Sequence, residues 1–531
     1  MFCLIITLIL WLILIIIKTK KSLHMLQQNL YNTENRYFKW INKNFNKVFL
    51  NIDIILLIFM IFSTIFLHNY IINTIVFDLL LLVCIVKYIS LSEYDKKHEK
   101  KPLVYTKRIY RLVFTISILL LIPIIYMFID FEVTHLKECY IKLSVLTYIV
   151  YVIVLVANII NHPIERYVYH SFKRKAMKKL RDNPNLKVIG ITGSYGKTSS
   201  KNILSDILNI KYNALPTPKN LNTPYGLIIT INNHLDKFDD ILIAEMGAYK
   251  IGEIQELCDL VHPTYGILTS IGTAHLESFG SEENIQKGKF ELIESLPTNG
   301  VAVLNMDDEK QVNYKIKNKC KKIWISINNE KADYQATNIK MNNKGMSFNV
   351  ILDGKKVKFE TKLLGIPNIY NILAGIALGH YLGITSEQLQ RAVMNVKNTE
   401  HRLELKKAGD ITYIDDAYNS NPVGSKMALD VLDMMPGKKI IITPGMIELG
   451  SKQYELNKKF GEYIADVCDE VILVGEKQTR PILDGLNEKG YNEKKIHIIN
   501  DVKDGFTIVN QIKTKDTYVL LENDLPDSFN E

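Results

Sequence analysis

The sequence predicts a multi-domain chain: an α-helical membrane region, an α/β domain built on a parallel sheet with a phosphate loop, and a C-terminal α/β domain with a βαβ unit. Three observations carry this. Most of the long apolar runs in the 531 residues lie before residue 162. A β-branched run at 187–192 passes through glycines into Lys-Thr and a helical stretch. Two strand-like runs at 439–443 and 469–475 flank a helical one. With 27 Gly and 15 Pro, a disordered or collagen-like chain is excluded.

Five apolar stretches, 2–17, 52–67, 71–92, 112–130 and 141–161, approach the length needed to cross a ~30 Å hydrocarbon core. Lys/Arg counts in the segments between and after them run seven, none, seven, two and seven. That alternation is the positive-inside pattern, and it predicts a multi-pass protein of the cell membrane. The N-terminus would lie outside and residues 163–531 in the cytoplasm. The first stretch lacks a basic n-region and an Ala-x-Ala site, so it reads as a retained helix, not a cleaved leader. Asp78 falls within the third stretch, where it marks either an intramembrane site or a contact with a neighbouring helix.

Charge divides the chain the same way. Residues 1–181 hold 24 Lys/Arg against 10 Asp/Glu, while the whole chain is only +9. The basic excess flanks apolar segments, which is a lipid-facing pattern and gives no argument for nucleic-acid binding. The six cysteines show no CxxC spacing, so neither a zinc site nor a disulfide framework is suggested.

The chemistry begins at Lys187-Val-Ile-Gly-Ile-Thr-Gly193, a buried-strand pattern ending in glycine. Ser194-Tyr-Gly-Lys-Thr-Ser-Ser200 and a helical run follow. Backbone N–H groups at such a turn cradle phosphate oxygens, Lys197 reaches the terminal phosphates, and the Thr198 hydroxyl serves Mg²⁺. Gly193 and Gly196 are closer together than in the usual phosphate loop. Ile241-Leu-Ile-Ala-Glu245 is a strand ending in a carboxylate, placed to hold Mg²⁺ in the same sheet. Tyr265–Ile271 reads as a further strand. His275 follows it, as a metal ligand or a structural histidine. Ser281-Glu-Glu-Asn284 suits a helix start and puts Lys289 in that helix.

Seven motifs occur in the order of the Mur ligases: Thr192-Gly-Ser-Tyr-Gly-Lys-Thr-Ser199, Ala244-Glu-Met-Gly247, Ala274-His-Leu-Glu-Ser-Phe-Gly-Ser281, Asn305-Met-Asp-Asp308, Asn368-Ile-Tyr-Asn371, His401-Arg402 and Asp415-Asp-Ala-Tyr-Asn-Ser-Asn-Pro422. The Ala274-His-Leu-Glu277 and Asp415-Asp-Ala-Tyr-Asn-Ser-Asn-Pro422 signatures resemble the MurF-like branch, which adds D-alanyl-D-alanine to the cell-wall precursor peptide. The resemblance covers roughly 187–531. It implies an ATP-dependent, ADP-forming carboxylate–amine ligase working through an acyl phosphate, with the protein positioning reactants and neutralising charge.

Carried over by position, Lys197, Lys289, His275 and Arg402 would be catalytic. Gly193, Ser194, Gly196, Lys197, Thr198, Ser199, Asn305, Asn368, Asn371, Arg402 and Asp415 would bind ATP. Thr198, Glu245, His275 and Lys289, the last as a carbamate, would hold two Mg²⁺ ions. Asn220, Asn222, Tyr418, Asn419 and Asn421 would face the substrates. The implied domains are a membrane region 1–162, a basic linker 163–186, an ATP-binding domain 187–398 and a Rossmann-like domain 399–531.

The match departs from the family where soluble members carry a UDP-sugar-binding domain, since five apolar stretches precede the phosphate loop here. Pro367 and Pro444-Gly445-Met446 also depart from the usual motifs. The expected partners are therefore a cell-wall peptide precursor, UDP-linked or lipid-linked, an amino acid or dipeptide, and membrane lipid. Two other readings remain: a membrane ligase of another carboxylate, such as a poly-γ-glutamate or other wall-polymer synthase, and a non-catalytic ATP-binding scaffold of wall assembly.

Overall fold

In the computed structural model, residues 2–29, 31, 37–48, 52–98, 102–129, 135–418, 420–447 and 449–524 are described. The chain divides into two compact units, Met1–Ser171 and Phe172–Glu531.

The first unit is helical, because its apolar runs lack the glycines and turn residues that would break them. Its main helices are Phe2–Gln28, Ile52–Phe66, Tyr70–His98, Lys107–Phe128 and Leu136–Tyr148, followed by Val150–Arg181, which leads into the second unit. Among the described residues, two are by length and composition long and apolar enough to cross a membrane, over Tyr70–Glu93 and Lys107–Met127. The expected single stretch 141–161 is instead broken. Leu136–Tyr148 and Val150–Arg181 meet at a 68° bend and pass the same test only together. The 163–186 segment is mostly the end of that last helix, with Pro163 inside it. Ile5, Ile9, Ile58, Phe59, Phe62, Val86 and Ile122 are exposed, the surface an apolar solvent accepts and water does not. Inside, polar groups pair across helices. The Thr7 hydroxyl donates to Asp78 at 2.7 Å, so Asp78 faces a neighbouring helix. The Trp11 indole donates to the Leu143 carbonyl at 3.0 Å.

The second unit holds three sheets. The first has β1 Lys187–Thr192, β2 Ala214–Pro216, β3 Ile241–Glu245, β4 Tyr265–Leu268, β5 Val301–Asn305, β6 Lys321–Ser326 and β7 Tyr334–Gln335. These run parallel in the order β2-β3-β1-β4-β5-β6-β7. Strands β3 and β5 are buried throughout, which is why they read as continuous apolar runs. An antiparallel sheet follows, β8 Thr337–Asn342, β9 Gly345–Leu352 and β10 Lys355–Thr361, in the order β10-β9-β8. Its alternating burial over Lys355–Thr361 marks one packed and one solvated face.

The third sheet has β11 Glu404–Ala408, β12 Ile411–Asp416, β13 Lys438–Thr443, β14 Glu470–Val474, β15 Ile496–Ile499 and β16 Thr517–Glu522. Its order is β11-β12-β16-β13-β14-β15, with only β11 antiparallel. β13, the helix Gln453–Val467 and β14 make the expected βαβ unit. The predicted strand 265–271 ends early, at Leu268. There the Thr269 N–H still bonds the Thr192 carbonyl of β1 at 2.9 Å, while its hydroxyl donates to the Tyr195 carbonyl at 2.6 Å and the chain passes under the phosphate loop.

Candidate active site

The C-terminal ends of β1, β3 and β4 converge on one loop. β1 stops at Thr192, and Gly193 takes φ +151, where a Cβ would stand 2.0 Å from Thr269 Oγ1. Gly196 is left-handed at φ +80 and caps the helix Lys197–Leu208. Both glycines are thus demanded by the turn. The Lys197 ammonium folds over this turn and donates to the Gly193 and Ser194 carbonyls at 2.7 and 3.2 Å. Burial pushes its pKa below the usual lysine range, with Glu245 opposing and Arg402 adding to the effect. Ser194 donates to the Gly272 carbonyl at 3.2 Å, and Ser199 is half-buried in the first helical turn.

Glu245 ends β3 and is 1 % exposed. Its Oε1 accepts from the Thr198 hydroxyl and from the Asn222 amide, each at 3.1 Å. Its Oε2 pairs with the Lys201 ammonium, also at 3.1 Å. Lys201 was not among the residues singled out from the sequence. The signal for it was its spacing: four residues after Lys197, it lies on the same helix face. The Asn220 side chain bonds the Tyr418 hydroxyl, which draws the 219–222 loop to the Asp415–Pro422 motif.

His275 sits at a left-handed φ of 60 just before the short helix Leu276–Phe279, with its ring 4.5 Å from that of Tyr249. Lys289 lies in the helix Glu282–Glu294, capped by Ser281 as expected. It is 1 % exposed, and its ammonium reaches the Ala248 carbonyl at 3.3 Å. Burial drives its pKa well below the lysine range. Lys197 reinforces this, while Glu253 and Glu291 oppose it.

The asparagines are engaged locally. Asn305 Oδ1 accepts from the Asp307 N–H at 3.0 Å, and Asn368 donates to the Leu364 carbonyl at 2.8 Å. Asn371 lies 3.4 Å from where a Cβ on Gly196 would stand, so it flanks the phosphate loop. From the third sheet, the Arg402 guanidinium lies 4.8 Å over the Tyr418 ring. Asp415 is bonded by His401 at 2.8 Å and Lys406 at 2.6 Å. Burial alone would raise the Asp415 pKa, but these bonds outweigh it and hold the carboxyl below the usual range. The Asn421 side chain caps the helix Pro422–Asp433, accepting from the Gly424 N–H at 2.9 Å. Asn419 lies outside the described residues.

A divalent cation fits part of this arrangement. A hydroxyl and a carboxylate meet at the head of the phosphate-loop helix, and Mg²⁺ characteristically takes one or two such protein ligands beside phosphate and water. Among the described residues no group of three or more His, Cys, Asp or Glu forms a ready cage, as a closed metal site would need. A cavity of about 480 Å³ also opens beside the helix Ile366–Tyr381, lined by Pro367, Tyr370, Met427, Met446 and Phe460. None of the residues expected from the sequence lines it. Ammonium, hydroxyl and carboxylate converge instead at the phosphate loop.

Comparison with known proteins agrees with this geometry. Residues 191–379 match the Mur ligase middle domain, and residues 401–521 match the Mur ligase, glutamate ligase domain. The UDP-N-acetylmuramoyl-tripeptide–D-alanyl-D-alanine ligase of Escherichia coli (strain K12) is 33% identical over 301 residues, covering 56% of this chain and 66% of that protein. Its counterpart in Bacillus subtilis (strain 168) is 32% identical over 294 residues, covering 55% and 63%. The chain thus spans just under two thirds of the length of these relatives. Among solved structures, MurF ligase from Thermotoga maritima in complex with ADP is 26% identical at a TM-score of 0.60, covering 67% of this chain and 80% of that one. A MurF crystal structure from Acinetobacter baumannii shares the fold, at 24% identity and a TM-score of 0.61, covering 68% of this chain and 78% of that one. The phosphate loop and Glu245 fall inside the first matched stretch and Arg402 inside the second, and the chain belongs to the Mur ligase family.

Proposed function

We propose that the chain is a MurF-type, ATP-dependent and ADP-forming amide ligase of cell-wall peptide synthesis. It joins D-alanyl-D-alanine or a related amine to a muropeptide precursor carried on a membrane lipid. The observation that carries the reading is the meeting of Thr198, Asn222 and Glu245 at the head of the phosphate-loop helix, with Lys197 beside it. The relatives' names supply the reaction class, and the apolar helices of the first unit support the lipid-linked acceptor.

Phosphoryl transfer from Mg·ATP would turn the acceptor carboxylate into an acyl phosphate, a leaving group that a carboxylate lacks. In this reading Lys197 and Arg402 bring positive charge to the transferred group. Thr198 and Glu245 would hold one Mg²⁺, and His275 with a carbamylated Lys289 would hold a second, each neutralising phosphate charge. A lysine whose ammonium form is disfavoured by burial presents the neutral amine that CO₂ takes up, which supports the carbamate. Gly193, Ser194, Gly196 and Ser199 line the phosphates, and Asn305, Asn368, Asn371 and Asp415 line the nucleoside. Asn220, Asn222, Tyr418, Asn419 and Asn421 face acceptor and amine. The protein is multi-pass, with residues 163–531 in the cytoplasm as an ATP-binding domain to 398 and a Rossmann-like domain beyond.

The test is ATP-dependent phosphate release by the detergent-purified full chain. Acceptors are UDP-linked and lipid-linked muropeptide, each with D-Ala-D-Ala, D-Ala, L-Ala and Glu. Turnover with lipid-linked muropeptide and D-Ala-D-Ala is the expected result. Turnover with Glu alone moves the assignment to a polymer synthase, and absence of any turnover leaves a scaffold.

A further inference from the structure

Lys201 is 1 % exposed, and an ammonium that far from water must be paired to be tolerated. Two partners meet it. One is Glu245 Oε2 at 3.1 Å; the other is the backbone carbonyl of Lys219, which accepts at 2.6 Å. Lys219 stands at a left-handed φ of 49 and opens the 219–222 loop. The far end of that loop returns to the same carboxylate, where Asn222 donates to Glu245 Oε1. The Asn222 carbonyl also accepts from the Gly247 N–H at 2.8 Å, just past β3. The space there is tight, since a Cβ on Gly247 would stand 2.9 Å from the Asn222 side chain. Glu245 is therefore gripped by both ends of one loop, and Lys201 is the charged bridge at the first end.

Resting on the ligase reading above, we infer that Lys201 is a positioning residue that couples Glu245, the carboxylate expected at the metal, to the loop expected at the acceptor. By holding Oε2, Lys201 fixes the plane of the carboxylate and leaves Oε1 toward Thr198. By holding the Lys219 carbonyl, it fixes where the loop begins. Cation binding at Glu245 then orders the loop, and by linkage an ordered loop tightens cation binding equally.

The experiment uses the full chain in detergent, with hydrogen exchange read on peptides spanning 217–224 with and without ADP and Mn²⁺. Mn²⁺ affinity is read separately by its spin-resonance signal. In the unaltered protein, ADP with Mn²⁺ slows exchange in this segment. In Lys201→Met that slowing is lost. The KM for the acceptor rises about tenfold, and Mn²⁺ affinity measured with the acceptor bound falls by a similar factor, as reciprocal linkage requires. Lys201→Arg restores part of both. Met leaves the Glu245 charge buried and unpaired, so a second variant, Lys201→Met with Glu245→Gln, removes both charges. It is expected to fold and to show the same metal-independent exchange.

Persistence of the metal-dependent slowing in Lys201→Met overturns the coupling, as does an acceptor KM that rises while Mn²⁺ affinity stays unchanged. Exchange and spin resonance need no turnover. A full chain that orders the loop with metal yet releases no phosphate with any acceptor would sink the ligase reading and leave the coupling standing.

Discussion

Lys197 shows how one residue carries both a strain and a function. Its ammonium is buried against its own loop carbonyls, and burial already lowers its pKa. Lys197→Ala should reduce ATP-dependent phosphate release by at least ~10²-fold, with melting temperature little changed. A variant with full turnover would remove the phosphate-loop assignment. Lys289 makes a separate prediction. Lys289→Ala should lose most turnover, and short carboxylates such as acetate should restore part of it if a carbamate is the working form. Full activity without rescue would exclude the carbamate. Glu245 and Lys289 differ in how visible they were. Glu245 ends an apolar strand and could be read locally, whereas the burial of Lys289 depends on packing against residues such as Phe279 and Ala248.

At the scale of elements, the ends of β12 and β16 pose a protonation problem. Asp416 and Glu522 stand opposite each other in register, and both are buried. Burial pushes the Asp416 pKa up to about 6, against the field of Arg402 and a bond from the Leu403 N–H. Burial and the Asp416 charge push Glu522 well above the carboxylate range, against a bond from the Ser420 hydroxyl at 2.6 Å. The folded state therefore holds protons that the unfolded chain releases near pH 4. Stability from this pair is full below that pH and is lost as pH rises through the folded values near 6 and above. Glu522→Gln should raise thermal stability at pH 7–8, by on the order of 1–3 kcal/mol, and flatten its decline between pH 5 and 8. Melting curves across that range check it, and an unchanged slope would refute it. The phosphate-loop turn gives an independent test. Gly193→Ala should destabilise the second unit and abolish nucleotide binding, because its Cβ would overlap the Thr269 hydroxyl at an unfavourable φ.

At the scale of the molecule, the two units obey different solvents. The first buries its polar groups pairwise and leaves Ile, Leu and Phe outside, while the second buries its apolar strands beneath amphipathic helices. The full chain should sediment with membranes and resist extraction by alkaline carbonate, yet be released by detergent. Release by carbonate alone would show that the helices do not span. The broken pair at Tyr148 and Val150 was not legible in the sequence, because the apolar run crosses it without interruption.

By itself the sequence determined the phosphate loop, β1, β3 and the helix that Lys197 begins, since glycine placement, β-branched runs and helix starts are local properties. It also determined the βαβ unit at 438–474 and the division into an apolar, basic part and a mixed part. Tertiary structure alone decided that Lys201 and Asn222 share Glu245 and that Asp416 faces Glu522. Each of these depends on strand order and register, which bring together residues tens of positions apart. A buried charge finds its partner only after that packing has excluded water.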